Sequence, residues 1–171
     1  MILAFDTYYF ENNARTVCIQ FERWNDCTIT NFFEETISEI EEYKSGEFYK
    51  RELPCILSLL KSIDLSECEA IIIDGFVVID DNQNDGLGGY LFKSLNCKIP
   101  IIGVAKNNFS KIEEFKKEIL RGESKKPLYI TSKGINLDKA AELIKKMDGK
   151  FRIPDLLKKV DSLGRNIDYS S

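Results

Sequence analysis

A chain of 171 residues with 43% apolar and 11% aromatic side chains suits one folded domain and is too apolar for a disordered polymer. It has no histidine, which excludes serine–histidine and cysteine–histidine nucleophile systems and any His-ligated zinc. The net charge of −4 hides an asymmetry: residues 1–90 carry 6 basic and 18 acidic side chains, residues 91–171 carry 18 and 10, so an acidic half precedes a basic one able to meet phosphates.

Ile2 to Asp6 reads as a short apolar strand, and Ala14 to Phe21 alternates with the period of a second, after a turn at Glu11-Asn12-Asn13. Cys27 to Phe33 supplies a third, and the acidic run Glu34 to Glu42 reads as a loop or short helix broken at Lys44-Ser45-Gly46. Helical spacing returns from Pro54 through Leu57, Leu60 and Ile63, with Glu52 just ahead of that helix. A wholly apolar strand at 71–73 ends in Asp74-Gly75, and the polar run 80–86 follows. Leu87 to Leu95 then predicts a helix and Ile99 to Lys106 a buried strand, a parallel pair with its crossover. Beyond it come a charged helix over Ser110 to Arg121, a strand at Leu128 to Thr131, and helices at Leu137 to Met147 and Pro154 to Leu163. The class is α/β in a single domain spanning 1–171: a mixed sheet of three N-terminal antiparallel strands followed by parallel strands, flanked by helices, which is the plan of the ribonuclease H-like fold.

The five cysteines, at wide and irregular spacings, fit neither a disulfide framework nor a zinc pair and are read as buried free thiols. No charged leader runs into an apolar segment, and no window approaches the roughly 18 apolar residues of a membrane span. A cytoplasmic protein with no membrane contact is expected.

Asp6 and Asp74 each close a strand-like run, and Glu52 heads the helix between them. Carboxylates at the ends of neighbouring buried strands bring negative oxygens to one point, which is useful chiefly when a hard divalent cation sits there. The bland alternatives are turn-forming aspartates and a glutamate favoured by a helix dipole.

Specific segments resemble the endonuclease V family, metal-dependent nucleases that act on inosine-containing nucleic acid. They are Phe5-Asp6-Thr7-Tyr8-Tyr9; Tyr43, Gly46, Arg51 and Glu52 at the family's separations; Ile72-Ile73-Asp74-Gly75; Pro100-Ile101-Ile102-Gly103-Val104-Ala105-Lys106; and Arg152-Ile153-Pro154-Asp155 followed by Asp161. The resemblance implies Mg²⁺, with Mn²⁺ as substitute, held by Asp6, Glu52 and Asp74, and Asp161 as a peripheral ligand or an orienter of water. It implies that Lys106 meets the scissile phosphate, that Tyr43 stacks on or wedges between bases, and that Gly46 and Gly75 let backbone amides approach an everted base. The implied reaction is phosphodiester hydrolysis on the 3′ side of inosine in DNA or RNA, by a monomer whose partner is nucleic acid.

The departures are local. Where the family follows its strand aspartate with glycine, histidine, glycine and shortly after histidine-proline, this chain has Gly75-Phe76-Val77-Val78-Ile79-Asp80-Asp81, and Asp80 or Asp81 is expected near the place of the missing histidine. Lys44-Ser45 stands where the family's tyrosine is flanked by proline. Two other readings remain open: a non-catalytic relative that binds nucleic acid or a protein, and a nuclease for a flap or mismatch.

Overall fold

A computed structural model of the protein describes residues 1–38 and 48–165. Three strands, β1 (Ile2–Phe10), β2 (Asn13–Phe21) and β3 (Asn31–Ser38), form an antiparallel meander. Helix α1 (Phe48–Leu60) leads to β4 (Ala70–Asp74), α2 (Leu87–Ser94) and β5 (Ile101–Ala105). Then come β6 (Lys117–Ile119), β7 (Leu128–Lys133), α3 (Leu137–Lys146) and α4 (Asp155–Arg165). The sheet order is β3-β2-β1-β4-β5-β7-β6, with β1, β4 and β5 parallel and β7 and β6 antiparallel to their neighbours.

The central strands are apolar throughout because both faces of the sheet are covered. Alternate residues divide between two cores. Ile2, Ala4, Ile72, Ile102 and Val104 pack under α3 and α4. Leu3, Phe5, Ile71, Ile73 and Ile101 pack under α1 and α2. The connection between β4 and α2 is tied to the sheet, since Val77 donates its backbone N–H to Thr131 Oγ1 at 2.8 Å. Gly103 makes this possible: a Cβ there would stand 2.5 Å from the Gly75 carbonyl oxygen and 2.7 Å from Thr131 Oγ1.

Four sequence expectations change. β1 does not stop at Asp6 but continues to Phe10, paired with β2 down to Phe10↔Asn13. The third strand lies at Asn31–Ser38 rather than 27–33, so Glu34 and Glu35 belong to an edge strand, where Glu34 ion-pairs with Arg15. Helix α1 starts at Phe48, so Glu52 is inside it and Pro54 is an interior proline on its exposed side. Residues 110–121 do not form the expected charged helix. Ile112 is a buried turn anchor, the Asp81 carboxylate accepts N–H bonds from Glu113 and Glu114 at 2.9 Å each, and Lys117–Ile119 pairs with β7.

All five cysteines are free, yet only Cys18 and Cys55 are buried, while Cys27 and Cys97 are exposed. Among the described residues no helix is long and apolar enough to cross a membrane.

Candidate functional site

The parallel pairing of β1 with β4 ends at Phe5↔Ile73. Asp6 and Asp74 are therefore side by side as the first residues past the last shared rung. Period-2 alternation sends both toward α4, the side on which Ala4 and Ile72 are buried. Lys106, two residues beyond Val104, emerges on the same side. Helix α4 closes this side: a Cβ on its Gly164 would stand 3.7 Å from Asp6 Oδ2. Its Asp161 faces Lys106, whose Nζ is 3.8 Å from Asp161 and 3.9 Å from Asp74.

Glu52 arrives from the other face. It lies one turn before Ile56, which packs in the α1/α2 core, and only 4% of its surface is exposed. Thr7, the residue that alternation turns toward α1, lines the same cleft as Glu52. The Thr7 hydroxyl lies 3.1 Å from that of Thr16, and the Thr7 N–H donates to Asp6 Oδ1 at 2.9 Å. An open cleft of about 270 Å³ is lined by Asp6, Thr7, Glu52, Asp74, Phe76 and Lys106 among others.

The acids disturb one another. Burial, followed by the charges of Asp74 and Asp161, pushes the Asp6 carboxyl up to about 7. Burial, then Asp6 and Asp74, holds Glu52 well above the ordinary glutamate range. Asp74 is raised by burial against the opposing pull of Lys106. Desolvation is the first cause in each case, and repulsion between the acids adds to it.

Among the described residues, no three acidic or thiol side chains are already drawn into a closed metal cage. The carboxylates reach the cleft from both faces of the sheet, with the Lys106 ammonium near two of them. The donor set nonetheless fits a hard divalent cation: its ligands are oxygens only, and each charged form is disfavoured in a way that a 2+ ion would relieve.

Of the residues singled out in the sequence, Asp6, Glu52, Asp74, Gly75, Lys106 and Asp161 come together here. Gly75 takes φ +103 at the turn leaving β4 and donates its N–H to the Val104 carbonyl at 3.1 Å. Tyr43 and Gly46 lie outside the described residues. Asp80 and Asp81 do not line the cleft: Asp80 caps its own loop through Asn84, and Asp81 holds the 113–114 turn. Sequence reasoning missed Thr7, whose only signal was a hydroxyl following the first acid in an otherwise apolar strand. It also assigned no task to Arg152, which donates to the carbonyl oxygens of Pro127 at 2.7 Å and of Lys106.

No family model matches the sequence, and no curated protein does. Solved structures do. Endonuclease V from Streptomyces avermitilis superposes with a TM-score of 0.73 at 21% identity, over 96% of this chain and 79% of that one. Endonuclease V from Ciona intestinalis, in complex with a 24mer DNA containing an inosine followed by a ribo-adenosine, gives 0.76 at 18%, over 96% and 84%. The catalytic domain of human endonuclease V gives 0.75 at 19%, over 96% and 80%. At such identities the likeness is one of architecture, and the chain has the ribonuclease H-like fold of the endonuclease V structures.

Proposed function

We propose that this protein is a divalent-cation-dependent endonuclease of the endonuclease V type, cutting inosine-containing DNA or RNA on the 3′ side of the modified base. The observation that carries the reading is that Asp6 and Asp74 stand side by side just past the last shared rung of β1 and β4, with Glu52 and Asp161 closing in from opposite faces. Loss of catalysis would remove any reason to keep mutually repelling acids in one cleft, which favours an enzyme over a binding relative.

Asp6, Glu52 and Asp74 would hold Mg²⁺ or Mn²⁺, with Asp161 at the periphery. The ion supplies Lewis acidity, easing ionisation of water and offsetting charge on the phosphate. The chain supplies the rest. Burial restricts Glu52, and Lys106 presents an ammonium to the phosphate oxygens as their charge grows. Asp161, between Lys106 and Arg165, is placed to orient water. Tyr43 would stack on a base, and the backbone at Gly46 and Gly75 would approach the everted one. The DNA bound by the Ciona protein supports nucleic acid as the partner.

The test is cleavage of labelled inosine-containing and control oligonucleotides, single- and double-stranded, with Mg²⁺ or Mn²⁺. A cut on the 3′ side of inosine is expected, and intact strands under every condition would reject the proposal.

A further inference from the structure

We infer that Phe151 is a stacking platform for an unpaired base of the substrate strand, with the Lys158 ammonium of α4 between the ring and the cleft. The inference rests on the nuclease reading and extends it to a surface outside the cleft. Phe151 is 67% exposed, more than any other large apolar residue exposed in the described chain. A single exposed ring is ordinary, and the weight here is on the mount that holds it and the cation beside it.

The mount is rigid. The Arg121 guanidinium, itself only 6% exposed, donates to the Phe151 carbonyl at 2.9 Å and to that of Met147 at 2.5 Å. It also reaches the carbonyls of Gly149 and Arg152, at 3.3 and 3.4 Å. Gly122 admits this segment closely, since a Cβ there would stand 2.2 Å from the Lys150 carbonyl oxygen. Arg152 then ties the other side to the carbonyl of Lys106, the residue that carries the cleft's ammonium. A ring fixed in this way loses little freedom when a base stacks on it.

The surroundings select the occupant. Residues 150–165 carry five basic and two acidic side chains. The Lys158 ammonium lies 5.9 Å from the Phe151 ring centroid. Lys158 is exposed and falls three residues before Asp161, so it shares the helix face that borders the cleft, while Arg165 on the far side of Asp161 is ion-paired to it. One helical turn is about 5.4 Å, which sets the ring only a few nucleotides from the cleft. A lone π-face in a positive surface suits a base and its phosphates, whereas a protein partner would need a broader apolar patch.

The experiment measures binding of a fluorescent single-stranded oligonucleotide, and quenching of a 2-aminopurine in it, by the full chain in chelator. Phe151→Ala should weaken binding by about fivefold or more and abolish the quench, while Phe151→Tyr keeps both. Lys158→Ala should weaken binding and flatten its salt dependence. Binding by Phe151→Ala within twofold of the parent, or an undiminished quench, would overturn the platform and leave the nuclease reading standing. No binding by the parent chain would overturn the platform together with the nucleic-acid reading beneath it. Because Phe151 contributes an exposed ring, an unchanged melting temperature accompanies the expected loss, and a lowered one shared by Phe151→Tyr would overturn the platform in favour of a packing role.

Discussion

The Nζ of Lys106 lies 3.9 Å from a carboxylate oxygen of Asp74, across the gap between the ends of two parallel strands. The distance is at the outer limit of an ion pair, and Asp74 is about half exposed at 47%, so the pair itself adds little stability. The ammonium is free to turn to a phosphate. Lys106→Ala should therefore lower kcat by about 10²-fold, in the range for deleting one group aimed at developing charge, while KM moves much less. Single-turnover rates alongside binding constants check this, and an equal loss in both would place Lys106 in ground-state binding alone.

Asp74→Asn should abolish cleavage and leave the fold standing. It also removes a charge that raises the Asp6 carboxyl, so the metal-free protein should melt higher at pH 8, by about 2–4 °C for each kcal/mol of repulsion relieved. Thermal melts with and without chelator, run beside the cleavage assay, read both effects. Unchanged cleavage would remove Asp74 from the site.

The raised acids set a pH dependence for the metal-free protein. The Asp6 carboxyl titrates near 3.8 in the unfolded chain and about 7 when folded. Between those values the folded state binds the extra proton, so stability is greatest below pH 4 for this group and falls as pH rises through 7. Glu52, also raised, acts in the same direction. In chelator the melting temperature should drop from pH 5 to pH 8, and Mg²⁺ or Mn²⁺ should restore it at pH 8. A flat profile that no cation alters would contradict the crowding of charges described above.

Base selectivity is the expected point of departure from the family. Phe76 lines the cleft and packs against Phe109 with ring centroids 5.8 Å apart, and by the sequence resemblance Phe76-Val77 stands where endonuclease V has histidine-glycine. Discrimination for inosine over adenosine or guanosine should accordingly be weaker than the resemblance implies. Tyr43→Ala should weaken binding of modified strands by about 1–3 kcal/mol, the worth of one base–aromatic stack. Cleavage rates on the three bases, measured side by side, decide the first point, since a strong inosine preference would show that Phe76 and Phe109 do not shape the choice.

Gly103 gives a structural counterpart. A Cβ at this position meets the Gly75 carbonyl and Thr131 Oγ1 at 2.5 and 2.7 Å, and both belong to well-packed backbone or a buried hydroxyl. Gly103→Ala should destabilise by about 1–3 kcal/mol and displace the turn after Asp74, lowering activity further than the stability loss explains. Denaturant melts and kcat on the same preparation separate the two effects.

The parallel centre of the sheet was legible because Ile71–Ile73 and Ile101–Ile102 are apolar on both faces, a pattern that only a covered strand tolerates. The charged helix at 110–121 was misread for a definite reason. Ile112, Phe115 and Ile119 have helical spacing, but tertiary partners decide the segment: Asp81 takes the amides of 113 and 114, and β7 takes Lys117–Ile119. Edge placement hides β3 in the sequence, because its Glu34 reads as a helix or loop residue while in the fold it ion-pairs with Arg15 of β2. At the site, Asp6 and Asp74 could be found from the chain because each follows an apolar run. The arrival of Glu52 from the opposite face depends on where α1 begins, six residues before the proline that marked its expected start.

The central claim is that Asp6, Glu52 and Asp74 hold a cation that drives strand cleavage. It is tested most directly by incubating a labelled inosine-containing single strand with the parent chain and with Asp74→Asn, each in Mg²⁺ and in chelator. The account predicts one product, formed only by the parent and only with the metal. Cleavage that persists in chelator or in Asp74→Asn, or a strand left whole by the parent in both Mg²⁺ and Mn²⁺, would contradict it.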